Sequence, residues 1–296
     1  MPTQRFARWC LALAGLAYLI LPTPALAQGS DVIFGSSTDD TANFEDPFYI
    51  ARTENDVIRF LNQATFGARP ADIASVRSAP FSNWLEGQFA VAPTLSRAFL
   101  ETYFASQGGG IGDGDGGENA ERLHRWFEVA VRAPDQVRQK MANALSQMVV
   151  ISDRDAFLQN EAIMMAEWND ILVRNALGNY RDLIREATLS PMMGYYLTTV
   201  RNRKFELNRV LTGGVLTGYT AGNNGVQPDE NYAREIMQLF TIGLLQRNRD
   251  FSVVSAGGTP VTTYDEDTIS TLARVFTGLS HNCSGTRNVA GIVLSR

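Results

Sequence analysis

Between Thr53 and Val200 apolar residues return every three or four positions, and most runs close at glycine, proline or a small polar residue. That period lays the apolar side chains along one side of an α-helix, and the breaks mark where each helix ends. In "TENDVIRFLNQATFG" Thr53 caps the start, while Glu54 and Asp56 suit the positive end of the helix dipole. Val57, Phe60, Leu61 and Ala64 then make one apolar face that stops at Gly67. A second helix starts around Pro70, "FSNWLEGQF" adds a third, and "TLSRAFLETYFASQ" puts Leu95, Ala98, Phe99 and Tyr103 on one side. "ENAERLHRWFEVAVRAP" closes at Pro134, and "PDQVRQKMANALSQMVVIS" opens with Asp135 and aligns Val137, Met141, Leu145, Met148 and Val149. A long run, "DAFLQNEAIMMAEWNDILVRNALG", ends at Gly178, followed by "NYRDLIREATLS" and "SPMMGYYLTTV", where Pro191 fits a first helical position. Period-two alternation is confined to "VVSAGGTPVTT". The pattern therefore predicts an all-α, multi-helix globular domain with a short β-hairpin near 251–263.

The ends depart from this pattern. Arg5 and Arg8 precede the apolar stretch "WCLALAGLAYLI", and "PALAQ" offers a cleavage site at Ala25-Leu26-Ala27, which together read as a secretory signal over residues 1–27. The apolar run from Trp9 to Leu21 is shorter than the roughly 20 residues that span a bilayer, so no stable membrane anchor is expected after cleavage. No cysteine follows the cut and no arginine pair precedes it, which points to Sec-type export to the periplasm or the extracellular space. Residues 28–50 read as a flexible leader, 51–280 as the helical domain, and 281–296 as an irregular tail with the character of a truncation or frameshift. Losing the signal removes Cys10 and leaves Cys283 as the remaining thiol, so no intramolecular disulfide is expected.

Composition narrows the chemistry. The 296 residues are 45% hydrophobic and 19% charged, with a formal net charge of −5, and no basic block is present to displace counterions from a phosphate backbone. Nucleic acid is not an expected partner. The glycine-rich stretch from Gly108 to Asn119 carries Asp113, Asp115 and Glu118, which are hard oxygen donors. Counted as a calcium-binding loop from Asp113, it has Glu118 where glycine is required and His124 where a bidentate Glu is required, so the reading is a solvated loop. The methionines at 164, 165, 192 and 193 read as core filler.

One stretch, "QPDENYAREIMQLFTIGL" from Gln227 to Leu244, concentrates chemistry. At about 100° per residue, Glu230, Asn231, Arg234, Glu235, Gln238 and Thr241 fall on one arc. Tyr232, Ala233, Ile236, Met237, Leu239, Phe240 and Leu244 fill the other, and Gly243 stands where the helix would end. The segment resembles the Asn-Glu-Asn-Tyr-Ala-Arg-Glu-Leu signature of the domain-of-unknown-function 1800 family, a bacterial family of largely exported proteins. "FLNQATFGARPADIASV", "SPMMGYYL" and "TYDEDTISTLARVFTGL" resemble that family's other motifs in order, so the likeness runs from about Asp56 to Leu279. The resemblance implies export and a protein partner, an exported member of the domain-of-unknown-function 1501 family, and supplies no reaction. Many members carry Trp-His-Asn-His where this chain has Leu145, Ser146, Gln147 and Met148. Any metal role of those histidines is absent here, and with His124 and His281 the only two, no metal or other cofactor is expected.

Acid and base chemistry would fall to Asp229, Glu230, Glu235, Asp265, Glu266 and Asp267, on two helix starts that could converge. Acids at helix starts also cap free amides and complement the dipole, which explains Asp229 and Glu230 without chemistry. Glu235 lies beyond the first turn. Glu235, with Arg234 and Asn231 to orient it or to bind an anionic or carbonyl group, is therefore the candidate catalytic set. No Gly-x-Ser-x-Gly elbow and no phosphate loop accompany it. Two readings result: a helical binding or scaffolding protein of the cell envelope, or a carboxylate-dependent hydrolase or lyase acting on a polysaccharide. Trp84, Trp126 and Trp168 would stack sugars in the second reading, but their helical settings favour burial.

Overall fold

A reciprocal pair of bonds starts the first helix, α1 (Glu54–Ala64): Asp56 N–H donates to Thr53 Oγ1, and Thr53 N–H donates to the Asp56 carboxylate at 3.0 Å. Such a cap is worth about 1 kcal/mol and fixes the helix start from sequence alone. The computed structural model describes residues 53–78, 80–107, 117–155, 157–204, 207–221, 227–281 and 292–294. The signal, the leader, residues 108–116 of the glycine-rich stretch with Asp113 and Asp115, and Cys283 lie outside them. The chain divides into two compact units, one of residues up to Leu95 plus His124–Asn143, the other of Ser96–Leu123 plus Ala144 onward.

In the first unit α1 packs with α2 (Pro70–Arg77) and α3 (Phe81–Ala90). Val57, Phe60, Leu61, Val76, Phe81, Leu85 and Val137 form its core, with Phe60 stacked on Phe81 at 4.2 Å between ring centres and Trp84 against the same ring. α5 (Gly117–Arg132) and α6 (Gln136–Ser146) carry the chain between the units. The turn between them is tied to the end of α3. Gln88 donates to Pro134 O and accepts from Val137 N–H, while buried Asp135 accepts from Thr94 N–H at 2.8 Å and from the Gln139 amide at 3.0 Å.

The second unit holds α4 (Arg97–Ser106), a 3-10 turn (Leu158–Asn160), α7 (Ala162–Asn175), α8 (Tyr180–Leu189) and α9 (Pro191–Tyr196). It continues with the strand pair β1 (Leu207–Thr212) and β2 (Val215–Ala221), then α10 (Asn231–Glu235). Next come a hairpin of β3 (Ser255–Ala256) with β4 (Thr259–Pro260), α11 (Glu266–Val275), and β5 (Leu279–His281) paired with β6 (Ile292–Leu294). α7 is the central helix: Ala162, Ile163, Met165, Ala166, Trp168, Asp170, Ile171, Leu172 and Val173 are all buried. Met192 and Met193 are buried as well.

The mostly helical fold and the hairpin within 251–263 agree with the pattern, and several details correct it. The apolar face of α4 is Leu100 and Phe104, whereas Phe99 and Ala98 are exposed, because the helix begins at Arg97 and its buried side is set by Ile163 and Ala166 of α7. α6 ends at Ser146, so Met148 lies beyond it and is exposed. The long run before Gly178 is broken at Glu161 into a 3-10 turn and α7. Ile292–Leu294, in the stretch read as irregular, forms a strand. The β1–β2 hairpin was unanticipated. Its two-residue turn, Gly213-Gly214, has φ of 58° and 80°, the paired positive values that suit glycine and match the twist of a hairpin.

Candidate functional site

The signature segment enters α10 through a backbone clamp. Asn202 Oδ1 accepts from Asp229 N–H at 2.8 Å, and Asn202 Nδ2 donates to Asp229 O at 3.1 Å, so one buried amide fixes both backbone groups of Asp229. The Asp229 carboxylate in turn accepts from Asn231 N–H at 2.9 Å. Asp229 is thus a turn-closing acid, as its place before a helix start implies.

From Ile236 to Thr241 the helix widens into a π turn, which moves every later side chain off the 100° wheel. Phe240 is buried as expected, but Leu239 and Leu244, placed on the apolar arc by the wheel, are exposed. Gly243, with φ of 74°, ends the segment. The turn is anchored by aromatic side chains on both sides. Tyr180 O–H donates to Phe240 O at 2.6 Å, satisfying one of the carbonyls a helix end leaves open, and burial raises the Tyr180 pKa. Tyr232 is 2% exposed, its hydroxyl is 2.6 Å from Thr188 Oγ1, and its ring meets Phe276 edge-on. Burial pushes the Tyr232 phenol up to about 12.

The three candidate residues separate here. Arg234 Nη2 donates to Glu266 Oε1 at 2.8 Å and to Glu230 Oε2 at 3.2 Å, with Nη1 3.4 Å from Glu266 Oε2. The two helix starts do converge, and the guanidinium between them pairs with one carboxylate from each. The hydrogen bond from Arg234 holds the Glu266 carboxyl below its ordinary range, and the same bond raises Arg234. Asp265 caps α11 by accepting from Thr268 N–H and Oγ1, which lowers its pKa. Asn231 Nδ2 donates to Thr198 Oγ1 at 3.0 Å. Glu235 differs: it is half-buried, and its Oε2 is buried with no hydrogen-bond partner among the described residues. Asn231 and Arg234 make no hydrogen bond to it, so the set is neighbouring in sequence without forming a bonded site.

A second polar cluster lies in α4, α7 and α8, and sequence reasoning missed it. Arg97 Nε donates to Glu101 at 2.9 Å and its Nη1 is 3.5 Å from Glu167, whose other oxygen accepts from Arg174 Nη2 at 2.7 Å. Arg174 Nη2 also lies 3.6 Å from Glu186 Oε2. Burial works against the charge of both arginines, and their carboxylate neighbours more than offset it, so both pKa values are raised. Arg97, Glu167, Arg174 and Glu186 wall a cavity of about 240 Å³. Its apolar lining is Met164, Ile171, Leu189, Pro191 and Met192.

Beneath this cluster the fold depends on Asp170, which is 1% exposed. Ser96 offers no side-chain cap to α4, and Asp170 replaces it from α7, accepting from Ser96 N–H at 2.8 Å and Arg97 N–H at 2.9 Å. Burial raises its pKa to about 6 against the opposing pull of those two donors. The available signal was an aspartate directly before the apolar run Ile171-Leu172-Val173 in "AEWNDILV".

Trp168 is buried, Trp84 packs on the first unit's core, and Trp126 is half-buried against Phe66 and Phe127. None of the three lines the cavity. No helix among the described residues is long and apolar enough to cross a membrane. Comparison with curated proteins and with solved structures gives no match. A family model described as "Protein of unknown function (DUF1800)" matches residues 59–294, and the chain belongs to that family.

Proposed function

We propose that this is an exported helical binding or scaffolding protein of the bacterial cell envelope. The observation that carries the reading is the commitment of Arg234 to Glu230 and Glu266. A residue expected to orient or bind a substrate instead ties two helix starts together, and Asn231 is bonded to Thr198. Glu235 is left without the companions that general acid or base chemistry requires. The secretory character of residues 1–27 supports a periplasmic or extracellular location, and the family resemblance supports an exported domain-of-unknown-function 1501 protein as partner.

The second reading is a carboxylate-dependent hydrolase or lyase acting on a polysaccharide. It is favoured by the buried, unpartnered Oε2 of Glu235. Glu235→Gln in the full chain separates the two, since it keeps the shape and removes the acid. The binding reading expects any loss of complementation in a gene-deleted host to track a loss in melting temperature. Lost complementation at an unchanged melting temperature would contradict it and favour the carboxylate reading.

A further inference from the structure

We infer that the β1–β2 hairpin is a peripheral membrane-binding element whose apolar tip enters the headgroup boundary of an anionic phospholipid bilayer. It shares no residue with the signature segment and depends on neither reading of the function. Four aliphatic side chains crowd around the Gly213-Gly214 turn and face solvent: Val215 is 67% exposed and Leu211 58%, with Val210 and Leu216 exposed as well. Neither strand pairs with a third among the described residues. A two-stranded hairpin gains little stability of its own in water, and a contiguous exposed apolar patch is the mark of an interaction surface.

Register and charge choose the occupant. Leu211 pairs with Leu216 and shares a face with it, while Val215, one residue from Leu216, points to the other face. A docked protein surface covers one face of a hairpin and leaves the other wet, whereas a lipid phase surrounds both. The two hydroxyls of the tip are bonded within it: Thr212 Oγ1 is 3.1 Å from Thr217 Oγ1, which donates to Val210 O at 3.3 Å. Glycines supply the turn, so no further polar side chain is desolvated there. The unpaired outer edges of the strands limit entry to the boundary region and exclude the hydrocarbon core.

The foot of the hairpin is basic. From Arg201 to Val226 the chain carries Arg201, Arg203, Lys204 and Arg209 against the single acid Glu206, in a protein of net charge −5. Arg201, Arg203 and Lys204 are exposed, and none forms an ion pair with a described residue. Val210 stands three residues from Leu207, where β1 begins. That is about 10 Å of strand, close to the Debye length at about 0.1 M salt, so cations just before β1 add to the attraction of an acidic surface. The same hairpin on a second copy brings the same charge and is repelled. A soluble polyanion would meet the cations and leave the aliphatic tip in water.

The test is flotation of the full chain, and of the double variant Leu211→Ser with Val215→Ser, on two kinds of vesicle: phosphatidylcholine alone, and phosphatidylcholine mixed equally with phosphatidylglycerol. The parent is expected to float with the anionic vesicles, and less with neutral ones or at high salt. The double variant should lose about tenfold or more in vesicle affinity, because its hydroxyls replace methyl and methylene groups that enter the boundary. Both positions are exposed, so its melting temperature should match the parent's. Val215→Trp, with brominated phospholipid in the anionic vesicles, reports on the tip itself. Its added fluorescence should be quenched, which binding through residues 1–27 would not produce. The inference is overturned if the double variant keeps the parent's affinity, or if that fluorescence is not quenched. Dimerisation of the parent in sedimentation, lost in the double variant and unaccompanied by vesicle binding, would also overturn it and assign the tip to a second copy.

Discussion

Replacing Asp170→Asn should change stability in a manner set by pH. The folded chain holds the Asp170 proton until about 6, whereas the free side chain releases it near 3.8. Between those values the folded state binds more protons than the unfolded state, so this group's contribution is full below the lower value and is lost as pH rises through the window. A shift of about two units corresponds to about 3 kcal/mol at most. Asparagine has the shape of the protonated acid and does not titrate. The stability difference between variant and parent should therefore move towards the variant by up to about 3 kcal/mol between pH 3.5 and 7.5, starting at the acid end about 1–3 kcal/mol in the parent's favour, because the amide nitrogen cannot accept the second of the Ser96 and Arg97 N–H bonds. Urea unfolding at a series of pH values, read by fluorescence that includes buried Trp168 on the same helix, measures it. A gap that moved towards the parent would refute the reasoning, for it would mean that the Ser96 and Arg97 N–H donors outweigh burial.

Asn202→Ala leaves both backbone groups of Asp229 without partners and should cost about 1–3 kcal/mol in urea unfolding. Tyr232→Phe should cost about 1 kcal/mol for the lost bond to Thr188. Its ultraviolet titration, compared with the parent's, should lack one phenol ionising near 12. Gly243→Ala meets no atom within 4 Å, so its cost should be the left-handed backbone alone, about 1–2 kcal/mol by thermal melting.

What the sequence disclosed follows from where the physical cause is local. Thr53 with Asp56, Pro70, Asn179, Pro191 and Asp265 set helix starts through groups three or fewer residues away, and each start was readable. The β1–β2 hairpin left no alternation because Leu211 and Val215 near its turn are both exposed; its readable mark was Gly213-Gly214. The π turn at Ile236 is a change of hydrogen-bond register, which the wheel cannot represent, and it misplaced Leu239, whereas Leu244 lies past the end of the segment at Gly243. Within the candidate set, composition disclosed the acids and Arg234. The choice between a catalytic and a tying role depended on Glu266, 32 residues away. The Arg97–Glu167 contact spans 70 residues and had no sequence signal.

The central claim is that Arg234 serves the fold rather than a substrate. The direct measurement exchanges the charges, Arg234→Glu together with Glu266→Arg, and compares the pair with each single variant for melting temperature and for complementation of a gene deletion. If Arg234 is a tie between helix starts, the double variant should recover both properties relative to Arg234→Glu alone. Recovery of melting without recovery of complementation would contradict the claim and return Arg234 to the role of a substrate-binding residue.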